Sequence, residues 1–131
     1  MLSCRPLLLA GIVAGAVLGS FPALAAEWKP FTPAALSAAQ KDGKSILVDI
    51  SAPWCPTCRA QKPILTQLTA EPQFKDLVVL QVDFDSQQAD VRALKAQSQS
   101  TLIAFKGAAE AGRSVGDTNQ SSIAALLKSA L

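Results

Sequence analysis

Ser45-Ile46-Leu47-Val48-Asp49-Ile50-Ser51-Ala52-Pro53-Trp54-Cys55-Pro56-Thr57-Cys58 decides how this chain folds. Its first half, Ser45 to Ser51, is a short apolar and β-branched run of the kind that forms a buried strand, and Ala52-Pro53 ends it. Its second half opens a helix. Pro56 suits the first helical position, where its fixed φ is already helical and its missing N–H loses no bond. With Cys55 at that helix start, Cys58 falls one turn later on the same face, within reach of an intramolecular disulfide. The unpaired N–H groups and positive dipole end of the helix favour the thiolate of Cys55, the form that acts as a nucleophile. Two cysteines spaced in this way between strand and helix are the dithiol arrangement that thiol–disulfide exchange requires.

Upstream, Trp28 to Phe31 reads as a short edge strand, followed by Thr32 as N-cap and Pro33 as first residue of a helix reaching about Asp42. Gly43 ends it. Downstream, the helix from Cys55 is expected to reach about Thr69, with Ile64, Leu65 and Leu68 facing the core and Pro63 kinking it. Leu77 to Phe84 is a second buried strand, Ser86 to Lys95 a third helix and Ala96 to Ser100 a loop. Thr101 to Lys106 and Glu110 to Val115 form a hairpin turning at Gly107, and Asn119 or Ser121 caps a final helix. The order β-α-β-α-β-α-β-β-α implies an α/β domain: a central, mainly parallel sheet with helices on both faces and an antiparallel C-terminal hairpin.

Ile46-Leu47-Val48-Asp49, Trp54-Cys55-Pro56-Thr57-Cys58, and Pro63 eight residues after Cys55 together resemble the thioredoxin family, and the likeness extends to the hairpin run Thr101 to Gly116. The resemblance implies a thioredoxin fold and a thiol–disulfide oxidoreductase needing no cofactor beyond its own sulfurs. Cys55 is then the exposed nucleophile and Cys58 the buried resolving thiol. Asp49 stands where the family carries a buried carboxylate behind the dithiol. Burial raises the pKa of such a group, so that it can accept the proton of Cys58; the competing reading is a solvated acid at a strand end. Trp54, Pro56, Thr57 and Ser100 are the expected surroundings of the sulfurs, Trp54 either as a lid or in ordinary surface packing. Ser100 occupies the position where the family has a cis proline, and a non-proline cis bond is costly enough that Gln99-Ser100 is expected to be trans. Gln81 replaces a common lysine and Ser51 a common tryptophan. Of the basic residues after the motif, Arg59 and Lys62, Arg59 either helps stabilise thiolate charge, meets an electron donor or is simply solvated, while Asp83, Asp85 and Asp90 are read as solvated loop acids.

The 131-residue chain has room for one domain, and its 50% hydrophobic content argues against disorder. Part of that fraction belongs to the N-terminus. Arg5, the apolar run Leu7 to Leu18 and Ala23-Leu24-Ala25 have the layout of a secretory signal peptide over residues 1–25, leaving a domain at 26–131. The apolar core is shorter than the roughly 20 residues of a spanning helix; an uncleaved anchor is the alternative. Cleavage would remove Cys4 and Arg5, leaving the Cys55–Cys58 pair and a net charge of +1 from the 12 basic and 10 acidic residues. That balance points to neither nucleic acid nor an anionic membrane surface.

With no His and no Tyr, a Cys–His nucleophile and a His-rich zinc site are excluded. No resident metal is expected. The chain therefore reads as a monomeric periplasmic thiol–disulfide oxidoreductase that reduces oxidised protein substrates. The resemblance implies electrons from a membrane thiol transporter of the disulfide-bond or cytochrome-c-biogenesis type. Small size without a helical insert favours reduction over the competing reading of a thiol oxidase or isomerase. Two other readings are a Cu(I)-binding dithiol metallochaperone, since two thiolates suffice for linear Cu(I), and a binding module whose dithiol is incidental.

Overall fold

Alternation along the strand Ser45–Ser51 (β2) sends Ile46, Val48 and Ile50 to one side of a sheet and Leu47 and Asp49 to the other. The computed structural model describes residues 25–131 together with positions 15, 16 and 19. Apart from positions 15, 16, 19 and 25, the expected signal segment lies outside the described residues, as does Cys4.

β2 is the middle of five strands. It pairs in parallel with β3 (Leu77–Asp83) and antiparallel with β4 (Thr101–Lys106). β1 (Glu27–Pro30) adds in parallel to β3 and β5 (Ala109–Val115) antiparallel to β4, giving the order β1-β3-β2-β4-β5. One face packs Ile46, Val48, Ile50, Leu80, Val82 and Ile103 against α1 (Pro33–Lys41) and α3 (Gln88–Ala93). The other packs Leu47, Val79, Leu102 and Ala104 against Leu65 and Leu68 of α2 (Pro56–Thr69) and Ile123 and Leu127 of α4 (Gln120–Ser129). Asp49 shares this second face, on the same side of the sheet as the helix that follows Cys55.

Side chains at the element ends explain the boundaries. Thr32 Oγ1 accepts from the Ala35 N–H at 3.0 Å, and Asn119 Oδ1 from the Ser122 N–H at 3.0 Å, so Asn119 and not Ser121 caps α4. Gly43 (φ +66°) ends α1 and Gly107 (φ +58°) turns the hairpin, both in the left-handed region that a Cβ disfavours. The first strand begins one residue earlier than expected and stops at Pro30; Phe31 leaves it to fill the α1 side of the core. The third helix is shorter than Ser86 to Lys95. Gln87 precedes it with its side chain holding the Asp83 N–H and the Phe31 carbonyl, and Lys95 at φ +56° lies beyond its end.

Leu47 is fully buried in the central strand, so Leu47→Ala should lower the unfolding free energy by about 2–5 kcal/mol in urea titrations. Val115→Ala, at a 63% exposed site, should change it by no more than about 0.5 kcal/mol. Equal effects would contradict the placement of the core.

Candidate active site

The chain leaves β2 through Ala52-Pro53 and enters α2 with Cys55 as N-cap and Pro56 as first helical residue. An N-cap side chain faces the free amides of the first turn. Here that side chain is a sulfur: Cys55 Sγ accepts from the Cys58 N–H at 3.1 Å. Cys55 and Cys58 form a disulfide, with Cα atoms 5.3 Å apart. The sequence led us to expect an exposed Cys55 and a buried Cys58. In this oxidised form both are buried, Cys55 at 1% exposure and Cys58 at 7%, because the sulfurs pack against Ala52 and Phe84.

Asp49 is 6% exposed and lies across from Gln81 on β3 and Leu102 on β4. Burial pushes its carboxyl up from 3.8 to about 6, an effect partly offset by the charge of Lys62. The reading of a solvated acid is therefore replaced by that of a buried one. Asp49 and Cys58 line a common cleft of about 560 Å³ with Ser51, Arg59, Lys62 and Gln81. Lys62 lies one helical turn beyond Cys58, so α2 carries a sulfur and a cation on one face beside the carboxylate. Gln81 takes the place in β3 beside Asp49 without supplying charge.

Trp54 is 54% exposed, and its indole Nε1 donates to Asp85 Oδ2 at 2.8 Å. Asp85, expected to be solvated, is thus a fixed acceptor that holds the indole. Its amide in turn donates to Asp83 Oδ1 at 3.0 Å. Pro56 is exposed and Thr57 half-buried at the rim of the dithiol. Ser100 is buried, its peptide bonds are trans, and its backbone is left-handed at φ +57°. Gln61, which the sequence reading passed over, is 1% exposed and donates from Nε2 to the Ser100 carbonyl at 3.3 Å and the Asp117 carbonyl at 2.8 Å. Among the described residues no group of three or more Cys, Asp or Glu side chains is gathered to hold a metal.

A cysteine pair at a helix start, joined in a disulfide above a buried carboxylate, is the site of a thiol–disulfide oxidoreductase: the S–S bond stores two electrons and the sulfurs exchange it with other thiols. Comparison with known proteins supports this class. The Thioredoxin family model matches residues 30–129. Thioredoxin H-type of Brassica campestris is 32% identical over 93 residues, covering 71% of this chain and 74% of that one. Thioredoxin of Chlamydia trachomatis serovar D is 35% identical over 82 residues, covering 63% and 78%. The crystal structure of Trxlp from Edwardsiella tarda superposes with a TM-score of 0.75 at 40% identity, over 77% of this chain and 98% of that one. The chain belongs to the thioredoxin family.

The raised carboxyl has a measurable consequence. Folded Asp49 titrates at about 6 against 3.8 when unfolded, so the native state binds the extra proton between those values and stability falls as pH rises through that window. The loss is complete above the folded pKa and amounts to about 2–3 kcal/mol. Asp49→Asn should therefore gain stability over the natural protein by that amount more at pH 8 than at pH 3.5, in urea titrations of the oxidised form. An equal difference at both pH values would refute the assignment. Lys62→Met should move the window upward, and Lys62→Arg should leave it in place.

Proposed function

We propose that this thioredoxin is exported to the periplasm and reduces protein disulfides there, with electrons supplied by a membrane thiol transporter of the disulfide-bond or cytochrome-c-biogenesis type. The signal-peptide layout of residues 1–25 supports export. The observation that carries the direction is the environment of Cys55. Strong oxidants of this chemistry owe their potential to a stabilised reduced form. Among the described residues a single N–H, from Cys58, is directed at the Cys55 sulfur, and Pro56-Thr57 places no cation between the cysteines. Asp49, behind them, carries negative charge above pH 6 and opposes thiolate formation.

In the proposed cycle the Cys55 thiolate attacks one sulfur of a substrate disulfide and expels the other as a thiolate. Cys58 then gives its proton toward Asp49 and attacks the Cys55 sulfur. That step releases the second substrate thiol and leaves the Cys55–Cys58 disulfide, which the membrane donor reduces by the same two exchanges in reverse. Trp54, held by Asp85, flanks the dithiol as a contact surface.

Equilibration with glutathione tests the direction. CxxC proteins span potentials from about −270 to −120 mV, and a value in the reducing part of that range, below about −220 mV, is expected. A value near −120 mV would make the protein an oxidase. Cys58→Ser in the intact cell should accumulate mixed disulfides with substrates and with the membrane donor, and Cys55→Ser should accumulate none. Capture by Cys55→Ser instead would reverse the assigned roles. Retention of Cu(I) by the reduced protein against a competing chelator, with no reduction of insulin, would favour the metallochaperone reading.

A further inference from the structure

The cleft beside Asp49 is larger than a proton transfer needs. Its volume of about 560 Å³ falls within the roughly 300–1,000 Å³ of sites that hold small molecules. Ser51 helps to make the space: it is a short side chain on the cleft wall, where the family commonly carries tryptophan, and an indole there would project into the opening. Of the two cysteines, Cys58 lines this cleft and Cys55 does not, and Trp54 is likewise outside its wall. Cys58 therefore has an approach separate from the surface on which Trp54 stands. The wall also carries charge that the protein leaves unneutralised. Arg59 and Lys62, three residues apart on α2, are exposed neighbours on one helix face beside Cys58. Among the described residues the ion pairs are Lys29–Glu27 and Arg113–Glu110, so neither cation has a carboxylate partner. Burial and the charge of Lys62 act on the Asp49 carboxyl, with no hydrogen bond from a described residue. Asp83, the other acid of the wall, is exposed and accepts the Asp85 amide.

Two exposed cations and one buried proton acceptor are complementary to a molecule with a carboxylate at one end and a thiol at the other. We propose that this cleft is a second entrance to the disulfide, taken by a small thiol that carries a carboxylate: Arg59 and Lys62 hold the carboxylate, and the thiol reacts at Cys58. In the first step the small thiol gives its proton to the Asp49 carboxylate, and its sulfur bonds to Cys58 Sγ as the Cys55–Cys58 bond breaks. The electron pair of that bond leaves on Cys55 as a thiolate. A sulfur at a helix start, holding the Cys58 N–H, is the better leaving group of the two, because thiols of lower pKa depart faster. A second small thiol then attacks the sulfur of the first, and its proton passes to Cys58. The products are the small disulfide and the reduced protein, which has gained two electrons. This entrance is separate from the protein route proposed above and does not depend on it.

The two sulfurs can be tried one at a time, with the disulfide of N-acetylcysteine and that of its uncharged amide as probes. Each rate is divided by that of the same probe with a free model thiol, and the adduct is located by peptide mass mapping. In Cys55→Ser, Cys58 should form a mixed disulfide about tenfold faster with the carboxylate probe than with the amide. Arg59→Gln with Lys62→Gln should remove most of that preference, and because both residues are exposed the substitutions spare the fold. In Cys58→Ser, the same pair of substitutions should leave the ratio of the two rates at Cys55 unchanged. For the natural protein, reduction of the Cys55–Cys58 disulfide by N-acetylcysteine should slow about tenfold on the Arg59 and Lys62 substitutions, relative to reduction by the amide. No adduct at Cys58, no preference there for the carboxylate, or a preference that survives the loss of both cations would overturn the inference. Insulin plays no part in these readouts, so failure here leaves the proposed function standing and failure to reduce insulin leaves this entrance standing.

Discussion

The meeting of β2 with the first turn of α2 is the constraint on which the rest of the site depends. A helix start leaves amides unbonded, and here the side chain offered to them is the Cys55 sulfur. Pro56 needs no such partner, which leaves the Cys58 amide free to serve it. The same turn brings Cys58 back beside Cys55, so one local geometry provides both sulfurs and the disulfide that joins them. The core on either side of β2 holds that junction in place: the strand is buried from Ile46 to Ile50, β3 pairs with it along its full length and β4 from Ser45 to Ile50.

Asp49 is the electrostatic counterpart of that junction. The alternation that buries Leu47 also places Asp49 under α2, where water cannot fully solvate it, and desolvation keeps its proton to about pH 6. In the proposed cycle this is the group that takes the proton of Cys58, with which it lines one cleft. The cation that moderates it comes from α2, as Lys62, while its neighbour across the sheet is the uncharged Gln81. That cation stands on the same helix as the cysteines.

Most of the fold is legible in the chain because its signals are local. Thr32-Pro33, Gly43, the Ser45 to Ser51 run and Pro56 each specify an element end or type through propensity or capping, and the structure places them accordingly. The dithiol is legible for the same reason, being fixed by spacing, whereas Asp49 is singled out by the family resemblance and its burial by the alternation of β2. What escaped notice depends on partners distant in sequence. Asp85 looks like a solvated acid until the Trp54 indole, 31 residues away, is seen to reach it. Gln61 looks like one more polar helix residue, although its partners are 39 and 56 residues distant. Its only local sign is its position three residues after Cys58 on the buried face of α2. The burial of Cys55 was missed because helix-start reasoning considers charge and not the packing of Ala52 and Phe84 over the sulfurs.

The central claim is that the start of α2 makes Cys55, and not Cys58, the working thiolate. The most direct measurement is the pH dependence of iodoacetamide labelling of the reduced protein, with the modified cysteine located by peptide mass mapping. The account predicts that Cys55 is labelled first and that its rate rises with a midpoint below the roughly 8.5 of a free cysteine. Labelling of Cys58 first, or a Cys55 midpoint at or above that value, would contradict it.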